Sequence, residues 1–199
     1  MLIVPRVRTS QTAVNMAHAL AVAFASVLGR TLQRHEGELL LAQIWQETGA
    51  GVSINNNNPG NMTANDKWPG KAWRPPWFEA PTDASTPRNK MLHAEMLAGR
   101  APRAFRAYDS LAEGAADHMR QLRHTFPAIL AAASSGDAMQ YAQAIYDSRY
   151  CRDEACKAEN NGPNIRRWQS QFQEKGTFSF LPLVTDPPVE EECPELDSS

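Results

Sequence analysis

The sequence lacks three features, each of which would define a class of protein. It has no run of basic residues, and its 20 lysines and arginines are balanced by 22 acidic residues, which argues against a nucleic-acid partner. It has no apolar stretch of the roughly 18 residues that a membrane span needs. Its three cysteines show no metal-ligand spacing, so we expect neither a metal ion nor another cofactor. What remains, a chain of 199 residues that is 42% hydrophobic, predicts one globular domain with a substantial core.

Two of the few cysteines are close together in the sequence. Cys151 and Cys156 lie in a segment rich in charged and turn-forming residues, and Cys193 lies near the C-terminus. In an oxidising compartment the first two could form a local disulfide, whereas in a reducing one all three would be free thiols. The sequence leaves both alternatives open.

The N-terminal region has some features of a signal peptide, because two arginines precede the apolar segment 16–29. However, polar residues follow the arginines, and Leu20, Phe24 and Leu28 recur at helical spacing. This pattern favours a first helix of the mature domain, with one buried face, over a cleaved leader.

Periodicity and turn residues predict an α+β chain that is mainly α-helical. The predicted helices cover about residues 12–31, 36–48, 111–124, 137–146 and 164–173. Two short strands are predicted at 90–96 and 104–108, around a turn at Gly99. We expect residues 1–180 to form the domain. Residues 181–199, which are acidic, contain proline and lack basic residues, are expected to form a disordered tail.

Glu47 is the residue for which position suggests chemistry. It lies in the last turn of the predicted second helix, which Gly49 and Gly51 end. The outward-pointing carbonyl groups and the nearby Trp45 disfavour a carboxylate there, so its pKa should rise. A carboxyl group that stays protonated near neutral pH is the acid that glycoside cleavage needs at the leaving oxygen. On position alone, however, an ordinary solvated glutamate is the simpler interpretation.

The residues around Glu47 change that balance. The run 42–51, AQIWQETGAG, resembles the AQ-x-x-x-ETG-x-G motif of the glucosaminidase family, glycoside hydrolase family 73, which belongs to the lysozyme superfamily. The glutamate of that motif is the general acid, and the resemblance implies the same role for Glu47. The run 57–62, NNPGNM, resembles the NNPGN segment of the superfamily, which helps to form the sugar cleft. Asn58 and Asn61 are therefore expected to bind substrate.

A third similarity lies further along the chain. The run 105–110, FRAYDS, followed by Asp117 and His118, resembles the FR-x-Y-x-S … DH segment of the family, which closes a β-hairpin and begins the next helix. Tyr108 is a candidate substrate contact. The alternative, which we prefer, is structural: Tyr108 packs, Arg106 pairs with a carboxylate, and Asp109 or Ser110 caps the helix.

A fourth, looser similarity concerns Tyr150. The run 149–153, RYCRD, resembles the GYATD block of the family, whose tyrosine lines the cleft opposite the glutamate. The resemblance implies that Tyr150 has this catalytic position. Arg149 and Cys151 depart from the glycine and alanine of the pattern, so a tyrosine without a catalytic part is the competing interpretation.

The second catalytic group has several candidates. Glu95 best fits the place of a glutamate that the family often carries on its hairpin, and Glu79 is the alternative. Two carboxyl groups about 6.5–9.5 Å apart would suit inversion, and about 5–5.5 Å would suit a covalent nucleophile. An attack by the substrate's own acetamido or hydroxyl group would need no second protein acid.

Residues 55–87 are rich in asparagine, proline and glycine and carry Trp68, Trp73 and Trp77. This composition predicts an ordered surface loop. Trp73 and Trp77 are candidates for stacking on sugar rings, but they could equally cover the hydrophobic core.

Together these similarities imply a lysozyme-like fold with a small β-hairpin lobe beside the catalytic cleft. The implied function is cleavage of the β-1,4 bonds between N-acetylglucosamine and N-acetylmuramic acid in peptidoglycan. A lytic transglycosylase on the same fold, or a non-catalytic wall-binding or particle-assembly protein, are the alternatives. We expect a monomer whose partner is the glycan strand.

The expected place of action is the periplasm or cell wall. Because no signal peptide is convincing, we expect a phage-encoded protein, or one that a secretion or injection apparatus delivers. A phage particle or such an apparatus would then be a further partner.

Overall fold

The computed structural model describes residues 1–79, 86–100, 102–151 and 154–181. Over these residues the chain forms seven α-helices, one 3₁₀ turn and three short strands. In chain order they are β1 (Leu2–Ile3), α1 (Ala13–Leu28), α2 (Arg34–Glu47), β2 (Lys71–Trp73), α3 (Pro87–Leu97), β3 (Phe105–Ala107), α4 (Leu111–Thr125), α5 (Pro127–Ala133), α6 (Ala138–Asp147), the 3₁₀ turn Glu154–Cys156 and α7 (Ala158–Glu174). The predicted class, α+β and mainly helical, is confirmed. The predicted tail lies outside the described residues, except for Leu181.

Local side-chain contacts explain where several helices begin. The Thr12 hydroxyl accepts a hydrogen bond from the backbone N–H of Asn15 at the start of α1, at 3.2 Å. Ser110 does the same for α4, as predicted, and the Asp137 carboxylate accepts two backbone N–H groups at the start of α6. Each such cap stabilises its helix by about 1 kcal/mol.

Helix α2 is the centre of the core. Every residue from Glu36 to Trp45 is buried, so the middle of this helix is enclosed on nearly all sides and only its two ends reach the surface. It packs against α7, α1 and α5, while α1 also packs against α4. Complete burial of a side chain such as Leu40 contributes about 1.5–3 kcal/mol. Glu47 is therefore a solvent-accessible side chain at the end of a helix whose middle is fixed in the core.

Helix α1 belongs to this core, as its periodicity predicts. Met16, Leu20 and Phe24 are buried on its inner face, and Gly29 ends it in the left-handed conformation with φ of 73°. No helix in the described ranges is both long enough and apolar enough to cross a membrane.

The strands form one sheet in the order β1-β2-β3. β1 pairs with β2 in parallel, and β2 pairs with β3 antiparallel with Ala72 opposite Arg106. β3 matches the predicted strand at 104–108, whereas β1 and β2 carry no pattern that predicts them because they are two and three residues long. This small sheet forms the lobe next to the helical core.

The prediction of a strand at 90–96 is wrong, because these residues lie in α3. Thr86 caps the helix by accepting the backbone N–H of Asn89, and Pro87 occupies its first position, where proline is favoured. The segment has no β-branched residue and is rich in methionine, leucine and alanine, which are good helix formers. Gly99, at φ of 76°, follows the helix end instead of forming a hairpin turn.

Candidate active site

The site begins at the end of α2, where the chain reverses directly after Glu47. The Thr48 hydroxyl donates to the carbonyl of Ile44 at 2.6 Å and accepts the N–H of Gly51 at 3.2 Å. Gly49 and Gly51 have φ of 58° and 80°, which confirms the predicted glycine stop of the helix. Since Thr48 is fully buried, the backbone that carries Glu47 is held rigidly.

The turn 57–62 faces this helix end and is fixed from within by Asn58. The Asn58 amide donates to the carbonyls of Met62, at 2.9 Å, and Arg106, at 3.1 Å, and its oxygen accepts the Met62 N–H at 2.9 Å. Asn58 is buried, and these three bonds occupy its side chain. The prediction that Asn58 binds substrate is therefore not supported, since its amide instead joins the turn to β3.

Close packing on α4 sets the position of the same turn. A Cβ atom at Gly60 would lie 2.2 Å from Nδ1 of the buried His118, so only glycine allows this approach. Asn61, with φ of 47°, then directs the chain toward Thr63, and both residues face the end of α2. Asn61 therefore lies in the same pocket as Glu47, and its binding of substrate stays a prediction.

A cleft of about 330 Å³ lies between α2, this turn, α4 and the segment after α6. The described residues that line it are Gln43, Gln46, Glu47, Gly60, Asn61, Met62, Thr63, Gln121, Phe126, Ile145, Tyr150, Cys151, Cys156 and Asn161. Among these, Glu47 is the only carboxylic acid, and none is basic. The walls combine amide groups with apolar and aromatic side chains.

Glu47 is open to solvent on one side but surrounded by the cleft walls on the others. The loss of bulk water around its carboxyl group raises the pKa from an ordinary value of 4.5 to about 7, while a hydrogen bond from Gln43 opposes this rise. The expectation of a raised pKa agrees with this, and a substantial fraction of Glu47 is therefore protonated at neutral pH.

Tyr150 lies in the same cleft, so the structure brings the two predicted residues together. Its ring packs edge-on against Phe126, with centroids 5.1 Å apart, and against His118 at 6.4 Å. Burial, followed by the nearby Glu47 carboxyl, raises the pKa of Tyr150 well above its usual value. Tyr150 is accordingly a neutral phenol that can donate or accept a hydrogen bond.

Arg149, which stands where the similar GYATD block has glycine, lies in the left-handed region with φ of 60°. An arginine therefore adopts the backbone geometry that glycine would take without strain. This explains how Tyr150 reaches the cleft although the sequence departs from the pattern.

Cys151 and Cys156 form a disulfide in the wall of the cleft. This decides between the two alternatives left open for these cysteines. The bridge joins the segment that carries Tyr150 to the 3₁₀ turn that precedes α7.

Glu95, the predicted second acid, is not among the residues that line the cleft. It lies on α3, not on a hairpin strand, and its carboxylate pairs with the Arg100 guanidinium in two hydrogen bonds, one of 2.8 Å. The pairing with Arg100 holds the pKa of Glu95 below its usual range. Glu79 is exposed and is also absent from the cleft wall.

The predicted aromatic contacts lie in the sheet lobe. Trp73 is buried and stacks on Phe105 at a centroid distance of 5.0 Å, so its faces are covered. The indole N–H of Trp77 donates to the carbonyl of Pro102 at 3.1 Å. Neither tryptophan lines the cleft, and the prediction that they stack on sugar there is not supported.

Tyr108 is also placed outside this cleft. Its hydroxyl donates to Asp117 at 2.6 Å, and Arg106 binds the same carboxylate oxygen at 2.6 Å. Burial and the Asp117 hydrogen bond raise the pKa of Tyr108. The structural interpretation of this segment, in which Arg106 pairs with a carboxylate, is confirmed.

Several cleft residues carry no distinctive sequence signal. Phe126 and Asn161 come from distant parts of the chain, and only the fold brings them to Glu47. Gln43 could have been found, because it precedes Glu47 by one helical turn and so lies on the same face of α2. His118 lies behind the wall, where burial lowers its pKa to about 4 and keeps it neutral.

Comparison with known proteins finds similarity in structure. No protein-family model matches the chain, and no curated protein matches it. A peptidoglycan hydrolase mutant from Sphingomonas sp. A1 has a similar solved structure, with a TM-score of 0.52 and 19% sequence identity, over 84% of this chain and 99% of that chain. The peptidoglycan hydrolase from the same organism is 20% identical, over 89% of this chain and 93% of that chain, with a TM-score of 0.47. The first likeness supports the predicted lysozyme-like fold.

Proposed function

We propose that this protein is a glycosidase that hydrolyses β-1,4 bonds in the glycan strands of peptidoglycan, with Glu47 as the general acid. The observation that carries the proposal is the Glu47 carboxyl group, with a pKa of about 7, held at a rigid helix end in an open cleft whose described lining contains no other carboxyl group. Glycoside cleavage requires a carboxylic acid that is protonated near neutral pH.

In the proposed reaction, Glu47 donates its proton to the glycosidic oxygen as the bond from that oxygen to C1 of the sugar breaks. Positive charge develops on the sugar ring and is removed when an oxygen nucleophile attacks C1. Water finally supplies the hydroxyl group at C1, and its proton returns to Glu47. The enzyme therefore ends in its starting protonation state.

The second group in this reaction is proposed from the cleft residues. Tyr150 faces Glu47 and, as a neutral phenol, can hold the attacking water or stabilise the charge on the ring. Because no second carboxyl group lines the described part of the cleft, attack by the substrate's acetamido oxygen is the route that fits best. An N-acetylated sugar is the substrate class that can react in this way.

The glycan substrate is supported by two further features. The cleft wall offers the amide groups of Asn61, Gln46 and Asn161 near Glu47, and amides suit the hydroxyl and N-acetyl groups of such sugars. The fold is also similar to that of a protein named as a peptidoglycan hydrolase. Glycan strands of the cell wall are therefore the proposed partner.

Zymography in gels containing peptidoglycan tests the proposal. The wild-type protein should clear the gel, and Glu47→Gln should lose about 100-fold or more of the activity, because an amide cannot donate the proton. Glu174→Gln, at the exposed end of α7, is the matched control and should clear like wild type. Equal clearing by Glu47→Gln, or none by wild type, would contradict the proposal.

A lytic transglycosylase is the second candidate, and the single carboxyl group of the described cleft favours it as much as a substrate-assisted hydrolase. Mass spectrometry of digested sacculi separates the two. A hydrolase leaves reducing ends that have gained a water molecule, whereas a transglycosylase leaves 1,6-anhydro ends.

A further inference from the structure

A chain of two hydrogen bonds connects Glu47 to the core. The Gln43 amide nitrogen donates to Oε1 of Glu47 at 3.2 Å, and the Gln43 oxygen accepts the Tyr141 hydroxyl at 2.6 Å. Gln43 and Tyr141 are both buried, and Tyr141, on α6, is completely inaccessible. The Gln43 side chain that binds Glu47 is thus itself fixed by the hydrogen bond from Tyr141.

The Tyr141 hydroxyl determines which way the Gln43 amide points. If the amide were reversed, its oxygen would face Glu47 and its NH₂ group would face Tyr141. The buried hydroxyl would then lose the acceptor for its own hydrogen, which is costly away from water. A reversed amide would also attract the Glu47 proton toward the core instead of the cleft. The observed orientation avoids both effects.

We propose that Gln43 is a positioning residue for the acid: fixed by Tyr141, its amide binds Oε1 of Glu47 and leaves the transferable proton on Oε2. The bond persists in both protonation states, since Oε1 accepts as a carbonyl oxygen before proton transfer and as a carboxylate oxygen after it. This inference rests on the proposed function, in which Glu47 is the acid.

The other groups around Glu47 do not fix its carboxyl group. Among the residues that the structure describes, the titratable groups that face Glu47 are Tyr141 from α6 and Tyr150 after it, and both have raised pKa values and are neutral. His118, on α4 behind Tyr150, is neutral as well. Among the described residues, Gln43 is the only side chain that donates to the Glu47 carboxyl group.

Two variants test the inference: Gln43→Met, which keeps the side-chain volume, and Tyr141→Phe, which removes only the hydroxyl. Gln43→Met should raise the pKa of Glu47, followed by the NMR signal of its carboxyl carbon, by about 0.5–1 unit. It should lower kcat on solubilised glycan strands by about 10- to 100-fold and leave KM within about twofold. Tyr141→Phe should also raise the pKa of Glu47 and lower kcat, but by smaller amounts.

Gln143 provides the matched control, because it donates to Asp147 at 2.8 Å with the same spacing on the exposed face of α6. Gln143→Met should leave the Glu47 titration and kcat unchanged. An unchanged titration in Gln43→Met and Tyr141→Phe, or a shifted titration with unchanged kcat, would overturn the inference.

The carboxyl titration also separates this inference from the proposed function. If wild type fails to cut peptidoglycan, the proposed function fails, while the Glu47 titration still decides whether Gln43 holds the carboxyl group. If Gln43→Met does not fold, Tyr141→Phe gives the same decision.

Discussion

At the scale of single residues, Glu47 is accessible to solvent, but its environment disfavours the charged form of its carboxyl group. Its carboxyl group can meet a polymer because the cleft is open, yet the cleft walls raise its pKa to about 7. An acid in this position transfers its proton readily and recovers it from water near neutral pH.

The first prediction concerns the pH dependence of activity. Because only protonated Glu47 can act as the acid, kcat/KM should be highest below pH 7 and fall about tenfold per pH unit well above the pKa of about 7. Initial rates on solubilised glycan strands between pH 5 and 9 measure this. A rate that stays constant up to pH 9 would contradict the assignment of Glu47 as the acid.

The same pKa predicts how stability depends on pH. The pKa of Glu47 is about 7 in the folded protein, whereas the ordinary value of 4.5 applies to the unfolded chain. The stability that Glu47 contributes is therefore complete below pH 4.5 and is lost as the pH rises through 7. Glu47→Gln removes this loss. Its melting temperature relative to wild type should therefore be higher at pH 8 than at pH 4.5, and parallel melting curves at all pH values would contradict this.

Arg149 gives a prediction about strain. Its φ of 60° places a bulky residue in the left-handed region, which costs about 1–2 kcal/mol, whereas glycine adopts this region freely but has a more flexible unfolded state. Arg149→Gly should raise the free energy of unfolding by about 0.5–1 kcal/mol in urea denaturation and keep the activity. A loss of stability would show that the arginine side chain makes a stabilising contact.

At the scale of elements, the contact of the turn 57–62 with α4 fixes one wall of the cleft. Gly60→Ala should reduce stability by about 1–3 kcal/mol, because its Cβ would overlap His118 and one of the two elements must move. Activity should fall as Asn61 shifts. In a His118→Ala background, which lacks the overlapping ring, Gly60→Ala should cost less stability than it does in wild type; an equal cost in both backgrounds would mean that the two residues do not clash.

The elements also show what sequence patterns can predict. α1, α2, α4 and α6 were predictable because each combines apolar periodicity with a cap or a glycine stop. α7 begins at Ala158, earlier than the predicted 164, and contains Pro163, a residue that is rare inside helices. The strand predicted at 90–96 around a turn at Gly99 is instead α3, whose local helix signals are the cap Thr86 and the first-turn proline Pro87.

At the scale of the whole molecule, the cleft depends on contacts that no local pattern contains. That Glu47 and Asn61 lie in one cleft could be predicted, because short motifs surround both residues. Gln121, Phe126 and Asn161 reach the cleft only through the packing of α4, α5 and α7, and single-sequence reasoning has no access to such contacts. The pairing of Glu95 with Arg100 likewise depends on α3 being a helix, which the sequence pattern does not predict.

The disulfide between Cys151 and Cys156 links this global packing to the site, because it joins the segment after α6 to the turn before α7. Closing so short a loop stabilises the folded state by about 2 kcal/mol on a chain-entropy account. A thiol reductant should therefore lower the melting temperature of wild type. It should also lower its activity, since Tyr150 adjoins Cys151 in the cleft wall.

The double variant Cys151→Ser/Cys156→Ser should resemble reduced wild type and should not respond to the reductant. Cys193→Ser should respond as wild type does, because the bridge remains. If reduced wild type keeps its full activity while its melting temperature falls, the bridge stabilises the fold without positioning Tyr150. Equal response of wild type and the double variant would instead assign the effect of the reductant to another part of the chain.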